Sequence, residues 1–165
     1  ICFRVVHDGT RAMQPTIAPK KTMLLYRFAS APSPGDVVVF RRPDSKHRVM
    51  TRRVIAVAGQ TVELRNKHVV VDGKALPQRS LPGRCSFDRG GGKRRACVTY
   101  EERAGERSYE VIRDATAPAM KVKKVEVPEG FVYVLGDNRD HSYDSRAFGP
   151  IVVGSIKGRV VWWAN

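Results

Sequence analysis

Short apolar runs rich in β-branched residues alternate along the chain with turn-forming residues, a pattern typical of strands and not of helices. The runs are bounded by Gly, Pro, Asn or Asp, which β-turns favour. The pattern therefore predicts a mostly β fold. The predicted strands are residues 23–26, 36–40, 53–57, 61–65, 67–71 and 131–135.

The composition changes in the middle of the chain, where Gly, Arg, Lys and Glu replace the apolar runs. We therefore expect residues 78–126 to form an inserted smaller β lobe. Residues 1–77 and 127–165 would form one discontinuous main β domain, whose sheet resumes near Val125. A length of 165 residues suits one domain with a modest insert.

The chain is strongly basic, with 30 Lys and Arg against 16 Asp and Glu and a formal net charge of +14. Such a field favours anionic lipid, nucleic acid or acidic protein nearby. We expect salt-sensitive association with an anionic membrane surface. The basic residues Arg41, Arg42, Lys46, Arg48, Arg52 and Arg53 keep a polyanion-binding module as an alternative. Nucleic acid is not the expected partner, because no basic cluster is interleaved with the aromatic residues that single-strand binders stack on bases.

No segment of the sequence is apolar for long enough to cross a membrane. The longest apolar runs, such as residues 37–40 and 69–71, are far shorter than the roughly 20 residues of a spanning helix. The chain opens at Ile1 and not at Met, so we expect a missing N-terminal part that could have held an anchor.

Two of the three cysteines, Cys85 and Cys97, bracket a flexible basic loop with three consecutive glycines. The four histidines are scattered singly, so the spacing favours a Cys85–Cys97 disulfide over a zinc site. Two reduced cysteines in a cytosolic protein are the alternative. We predict no metal and no cofactor.

Three segments carry possible chemistry. Residues 10–17, Thr-Arg-Ala-Met-Gln-Pro-Thr-Ile, predict a polar turn near the N-terminus. Residues 35–59 predict two buried strands joined by a basic loop. Residues 136–149, Gly-Asp-Asn-Arg-Asp-His-Ser-Tyr-Asp-Ser-Arg-Ala-Phe-Gly, place dense charge of both signs directly after an apolar strand. Such a segment usually forms ion pairs that fix a loop.

In this order and at these spacings, the three segments resemble the type I signal peptidases, membrane-bound serine proteases that remove signal peptides from exported proteins. That family reads Ser-Met-x-Pro-Thr, Gly-Asp-x-Val-x-Phe, Lys-Arg-Val with a later Gly, and Gly-Asp-Asn-Arg-x-x-Ser-x-Asp-Ser-Arg-x-x-Gly. The resemblance spans about Thr10 to Asn165 and includes an insert with a cysteine pair, as in some Gram-negative members. It implies a twisted β-sheet catalytic domain on the extracytoplasmic face of the cytoplasmic membrane.

Both members of the family's catalytic dyad are replaced. In the family a serine attacks the scissile carbonyl and a neutral lysine takes its proton. Here Ala12 stands at the serine position and Arg52 at the lysine position. A guanidinium stays protonated and cannot act as a base. The resemblance therefore implies an inactive homologue, a peptide-binding or accessory pseudoprotease. The alternative is an active signal peptidase whose serine was changed to alanine by engineering, and Arg52 is an odd choice for such a change.

The resemblance also assigns supporting roles. Thr10 stands where the family often places a hydroxyl that helps hold the oxyanion, although it could merely cap a turn. Ser142, Asp144 and Arg146 match residues that support the lysine, although the Asp144/Arg146 pair could only brace the loop.

Active members bind an extended peptide with small residues one and three positions before the cut. By position, the groove would lie between a strand around Asp8 to Ile17 and another from Val49 to Arg53. The expected substrate-binding residues are Asp8, Met13, Ile17, Met50 and Thr51. Asp8 and Arg52 predict a poor fit for ordinary Ala-x-Ala signal peptides. The expected partners are signal-peptide regions of exported proteins or another membrane protein.

Overall fold

The computed structural model describes residues 3–7, 9–27, 31–45 and 47–164, which form mostly β-strands. One short helix, α1 (Ser145–Phe148), and a 3-10 turn (Val153–Ser155) lie near the C-terminus. Within the described ranges no helix is long and apolar enough to cross a membrane. The strands are β1 (Phe3–His7), β2 (Thr22–Tyr26), β3 (Val37–Arg41), β4 (Val49–Val57), β5 (Thr61–Arg65), β6 (His68–Val71), β7 (Lys74–Ala75), β8 (Gln78–Ser80), β9 (Cys85–Asp88), β10 (Arg94–Ala104), β11 (Arg107–Asp114), β12 (Val122–Glu126), β13 (Phe131–Leu135), β14 (Ile151–Val152) and β15 (Ile156–Trp163).

The main sheet has seven strands in the order β1-β2-β15-β3-β4-β13-β14, and neighbouring strands are antiparallel. The predicted mostly β fold is confirmed, and each of the six predicted strands is present within a few residues. The largest difference is β4, which starts four residues before its predicted first residue, Arg53. Its first half pairs with β3, from Val49 opposite Arg41 to Arg52 opposite Val38.

Two four-stranded sheets flank the main sheet. In one of them β10 pairs with β11 on one side and with both β8 and β9 on the other. The other sheet has the strand order β12-β5-β6-β7. Strand β12 lies inside the segment 78–126 but pairs with β5, with Val125 opposite Val62. The main sheet therefore resumes at Phe131 and not near Val125. The turn at Pro128 and Gly130 separates the two strands.

Side chains on both faces of the main sheet are buried. Strand β3 shows this directly, because Val37 and Val39 belong to one core cluster whereas Val38 and Phe40 belong to another. A strand covered on both faces needs a continuous apolar run, which is what residues 37–40 supply.

The segment after β1 differs from the sequence prediction. A strand around Asp8 to Ile17 is wrong for residues 9–17, which form a bend and turns between β1 and β2. The Ile17 N–H donates to the Met13 carbonyl at 2.9 Å and closes a turn. Pro15 has no N–H to contribute to a strand ladder, so this segment suits a turn better than a sheet.

The predicted disulfide between Cys85 and Cys97 is confirmed. The two residues lie directly opposite each other on β9 and β10, with their Cα atoms 4.9 Å apart. The bond closes the base of a hairpin whose tip carries Gly90, Gly91 and Gly92, all with positive φ. Glycine adopts that backbone conformation without strain, which explains the three consecutive glycines.

Candidate functional site

The turn at residues 11–17 holds Ala12 against the loop that follows β13. Ala12 is buried, and its carbonyl accepts a hydrogen bond from the Asn138 N–H at 2.9 Å. The Asn138 side-chain amide also donates to the Arg11 carbonyl at 3.4 Å. The first and last motifs, 126 residues apart in sequence, therefore meet through main-chain contacts.

Gly136 allows this close approach. A Cβ atom at Gly136 would lie 2.2 Å from Ser142 Oγ and 2.6 Å from the Ala12 carbonyl oxygen. Both distances are far below van der Waals contact, so only glycine fits without rearrangement. The Ala12 carbonyl, Gly136 and Ser142 thus meet at one point.

Arg52 is buried on β4, with 2% of its surface exposed. Its Nε and Nη2 donate to the Tyr143 carbonyl at 3.0 and 2.7 Å, and its Nη1 donates to the Thr51 carbonyl at 2.6 Å. The guanidinium therefore connects strand β4 to the loop between Gly136 and α1. The cation at position 52 is therefore held by main-chain carbonyl oxygens.

Asp144 and Arg146 form a two-bond ion pair, with Nε to Oδ1 at 2.8 Å and Nη2 to Oδ2 at 2.7 Å. The Asp144 carboxylate also accepts the Gly136 N–H at 3.0 Å and caps the N-terminus of α1. Burial alone would raise the pKa of Asp144, but the hydrogen bond and the charge of Arg146, together with the hydrogen bond from Gly136, lower that pKa below its usual value. These contacts brace the loop that carries Ser142 and Tyr143.

The other expected site residues occupy different environments. Thr10 is exposed at the start of the turn. Met13 and Ile17 are buried in a core cluster with Met23 and Leu25. Asp8 lies outside the described residues, as do Cys2 and Lys46.

Met50 and Thr51 flank Arg52 on β4, and both are buried. Met50 packs in the core cluster of Val38 and Phe40, on one face of the main sheet. The Thr51 hydroxyl lies 4.0 Å from the sulfur of Met23, on the other face.

A buried ion pair beside the site was not predicted from sequence. Arg53 binds Asp137 through Nε at 2.9 Å and Nη2 at 2.7 Å, and it donates to the Gly35 carbonyl at 2.8 Å. The Thr16 hydroxyl donates to the same carboxylate at 2.5 Å, and the Tyr109 ring stacks on the guanidinium at 3.9 Å. One cluster therefore ties all three motifs to β11. The sequence motifs contain both Arg53 and Asp137, but nothing in the sequence indicated that the two residues pair.

A second buried pair joins the last motif to β10. The Arg139 guanidinium makes two hydrogen bonds to Glu102, and the Tyr109 hydroxyl and Gln78 amide donate to the same carboxylate at 2.9 and 3.2 Å. Burial alone would lower the pKa of Arg139, but the Glu102 carboxylate raises it above its ordinary value. The loop after β13 is thus fixed from both sides.

A groove of about 520 Å³ runs between β1 and the start of β4. Its apolar floor is lined by Val5, Val6, Leu25, Val39 and Val49, of which Val5 and Val49 are exposed and Leu25 and Val39 lie buried beneath. Its remaining lining residues are His7, Arg41, His47 and Lys157. The groove expected from the sequence lay between residues 8–17 and 49–53, and of these only Val49 is among the described residues that line the observed groove. The expected binding residues Met13, Ile17, Met50 and Thr51 do not line it.

One strand edge borders this groove. Among the described residues β1 pairs only with β2, so it is a terminal strand of the main sheet. Residues 5–7 of β1 line the groove.

Among the residues that the structure describes, no cluster of three or more His, Cys, Asp or Glu is placed to hold a metal ion.

Comparison with known proteins identifies the family. The family model "Signal peptidase, peptidase S26" matches residues 1–164. The chain belongs to this family. It is 31% identical over 150 residues to signal peptidase I V of Bacillus subtilis, a match that covers 89% of this chain and 77% of the relative.

Other members of the signal peptidase family are also similar. Over 155 residues the chain is 29% identical to a mitochondrial ATP-independent inner membrane protease subunit 1b of Arabidopsis thaliana, covering 92% of this chain and 63% of that protein. Among solved structures, a signal peptidase I from Enterococcus faecalis V583 is 26% identical with a TM-score of 0.47, covering 80% of this chain and 98% of that one. The chain spans less than two thirds of the Arabidopsis protein's length.

Proposed function

We propose that this chain is a signal peptidase family member that binds extended peptides and does not cleave them. The observation that carries the proposal is the pair Ala12 and Arg52. The position of the attacking hydroxyl holds a methyl group, and that of the base holds a buried guanidinium donating to the carbonyls of Tyr143 and Thr51.

The absence of a base follows from the chemistry of arginine. A guanidinium keeps its proton at any ordinary pH, so Arg52 cannot accept one from a hydroxyl or from water. The proposal therefore extends to the Ala12→Ser variant, which would have a hydroxyl at position 12 but still no base at position 52.

Peptide binding is supported by the terminal strand β1 and by the groove beside it. An extended peptide adds to a strand edge through main-chain hydrogen bonds and places alternate side chains in the pockets below. The apolar floor suits apolar side chains, because its residues Val5 and Val49 are exposed. The candidate partners are signal-peptide regions of exported proteins or another membrane protein, with this domain on the extracytoplasmic face of a membrane. A disulfide is typical of that compartment.

The test of lost catalysis compares four proteins: the chain itself, Ala12→Ser, Arg52→Lys, and the double variant. Each is incubated with a peptide that carries Ala one and three positions before a single cleavage site, and products are measured by mass spectrometry. We expect cleavage from the double variant alone, because it alone combines a nucleophile with a base that can lose its proton.

Two results would contradict the proposal. Cleavage by the unmodified chain would show that another nucleophile acts. Cleavage by Ala12→Ser alone would reveal a base other than residue 52. Circular dichroism of all four proteins controls for folding, since Arg52 holds two carbonyls that a lysine amine reaches less completely.

A further inference from the structure

The groove between β1 and β4 combines an apolar floor with a cationic rim. Val5 and Val49 are the exposed residues of its floor, and Arg41, Lys157, His7 and His47 form its rim. No Asp or Glu is among the described residues that line it. Asp8, the residue after His7, lies outside the described part of the chain. The two permanently charged groups are Arg41 and Lys157, which come from the adjacent strands β3 and β15.

These two cations differ from most arginines near the site. Arg53, Arg139 and Arg146 each bind a buried carboxylate at short distance. Asp36 lies close to both Arg107 and Arg159. Within the described residues, neither Arg41 nor Lys157 takes part in an ion pair. The positive charge at the groove is therefore not neutralised by a described carboxylate.

We propose that the groove selects an extended peptide with apolar side chains facing its floor and carboxylate side chains facing Arg41 and Lys157. This inference rests on the proposed peptide binding and names the class of peptide. The floor supplies burial for apolar side chains, and the rim supplies two ion pairs that a neutral or basic peptide cannot form. Charge complementarity of this kind determines which partner binds more than how tightly any partner binds.

The magnitude follows from the exposure of the two cations. Arg41 is exposed and Lys157 is partly exposed, so each ion pair is weakened by water. Two such pairs together favour an acidic peptide over its neutral counterpart by about fivefold in Kd at low salt. The preference should shrink as ionic strength rises, because both pairs face solvent.

The experiment uses three peptides of equal length with Val at alternate positions and either two Glu, two Gln or two Lys near one end. Isothermal titration calorimetry measures each Kd at low and at high salt. We expect the order Glu tighter than Gln tighter than Lys. In Arg41→Gln/Lys157→Gln the Glu and Gln peptides should bind within twofold of each other, with the Gln peptide unaffected.

A matched control removes the same charge elsewhere. Lys123→Gln/Lys124→Gln alters two exposed residues of β12, which do not line the groove, and should keep the preference for Glu. If the preference for Glu survived in the Arg41/Lys157 variant, or disappeared in the β12 variant, Arg41 and Lys157 would not be its source and the inference would fail.

Equal binding of the Glu and Gln peptides to the unmodified protein would overturn the inference and leave peptide binding intact. Binding of none of the three peptides would contradict the proposed function together with the inference. An oligothymidylate of equal charge serves as the nucleic-acid arm. If it binds more tightly than the Glu peptide and displaces it, the groove is a polyanion site and the inference fails.

Discussion

The Arg139–Glu102 ion pair should be among the most important polar contacts for stability, and Arg139→Met tests this. Arg139 is fully buried, and Glu102 is 1% exposed. Methionine fills similar volume without charge, so the variant leaves the Glu102 carboxylate buried beside only the Tyr109 hydroxyl and the Gln78 amide. Breaking a buried pair in this way costs about 3–5 kcal/mol, because an uncompensated charge remains.

The free energy of unfolding is measured by urea denaturation, and the melting temperature by circular dichroism. For a chain of this length the expected loss corresponds to a melting temperature about 10 °C lower. The double variant Arg139→Met/Glu102→Leu should recover most of the loss, because it removes the unpaired charge as well.

A neighbouring pair provides the control. Glu101 is adjacent to Glu102 on β10 and binds Arg79, whose side chain is 69% exposed. Water already solvates that pair, so Arg79→Met should leave the urea midpoint unchanged within error. If Arg139→Met changed stability no more than Arg79→Met does, or if the double variant were no better than the single one, the buried pair would not have the assigned role.

Three further predictions concern stability. Burial would raise the pKa values of Glu102 and Asp144, but Arg139 and Arg146 lower them below their usual values. The stability that these carboxylates provide is therefore present above about pH 4 and is lost as the pH falls through their lowered pKa values. A urea midpoint that rises on acidification from pH 7 to pH 3 would refute this. Reducing the Cys85–Cys97 disulfide should lower the free energy of unfolding by about 3 kcal/mol. Thiol titration of the oxidised, denatured protein should find that only one of the three cysteines is free, whereas all three would be free if no disulfide formed. Gly136→Ala should destabilise the fold by about 1–3 kcal/mol, because the new Cβ would overlap with Ser142 and the Ala12 carbonyl. Gly154→Ala is the control, because the nearest atom to its Cβ would lie 3.8 Å away, and it should leave stability unchanged. Equal urea midpoints for the two variants would contradict this prediction.

Local chemistry made the strands and the disulfide predictable. Runs such as residues 37–40 and 131–135 are apolar, β-branched and bounded by turns, so period and composition agree there. The hydrophobic pattern alone starts β4 at Arg53, because Thr51, Arg52 and Arg53 look like an exposed polar segment, and the strand from Val49 to Arg53 was expected from the motifs instead. Arginine is rarely buried unless it is paired, and its partner cannot be read from a local window.

The candidate site shows the same limit. The motifs identified the positions of Ala12 and Arg52, because they lie at fixed spacing within short segments. The pairing of Arg139 with Glu102 joins residues 37 positions apart, and that of Arg53 with Asp137 joins residues 84 positions apart. Such contacts depend on how three sheets pack together, and hydrophobic periodicity carries no information about that packing. The sequence analysis singled out Arg41 but not its place beside Lys157, because the adjacent strands β3 and β15 that carry them lie far apart in sequence.

The most direct test of binding without cleavage is native mass spectrometry of the unmodified protein mixed with the Glu peptide. One spectrum reports both the bound state and the integrity of the peptide. We expect a peak at the mass of the protein plus one intact peptide, with no fragments and no covalent adduct after prolonged incubation. Free peptide fragments, or a protein carrying a covalently attached fragment, would contradict the central claim.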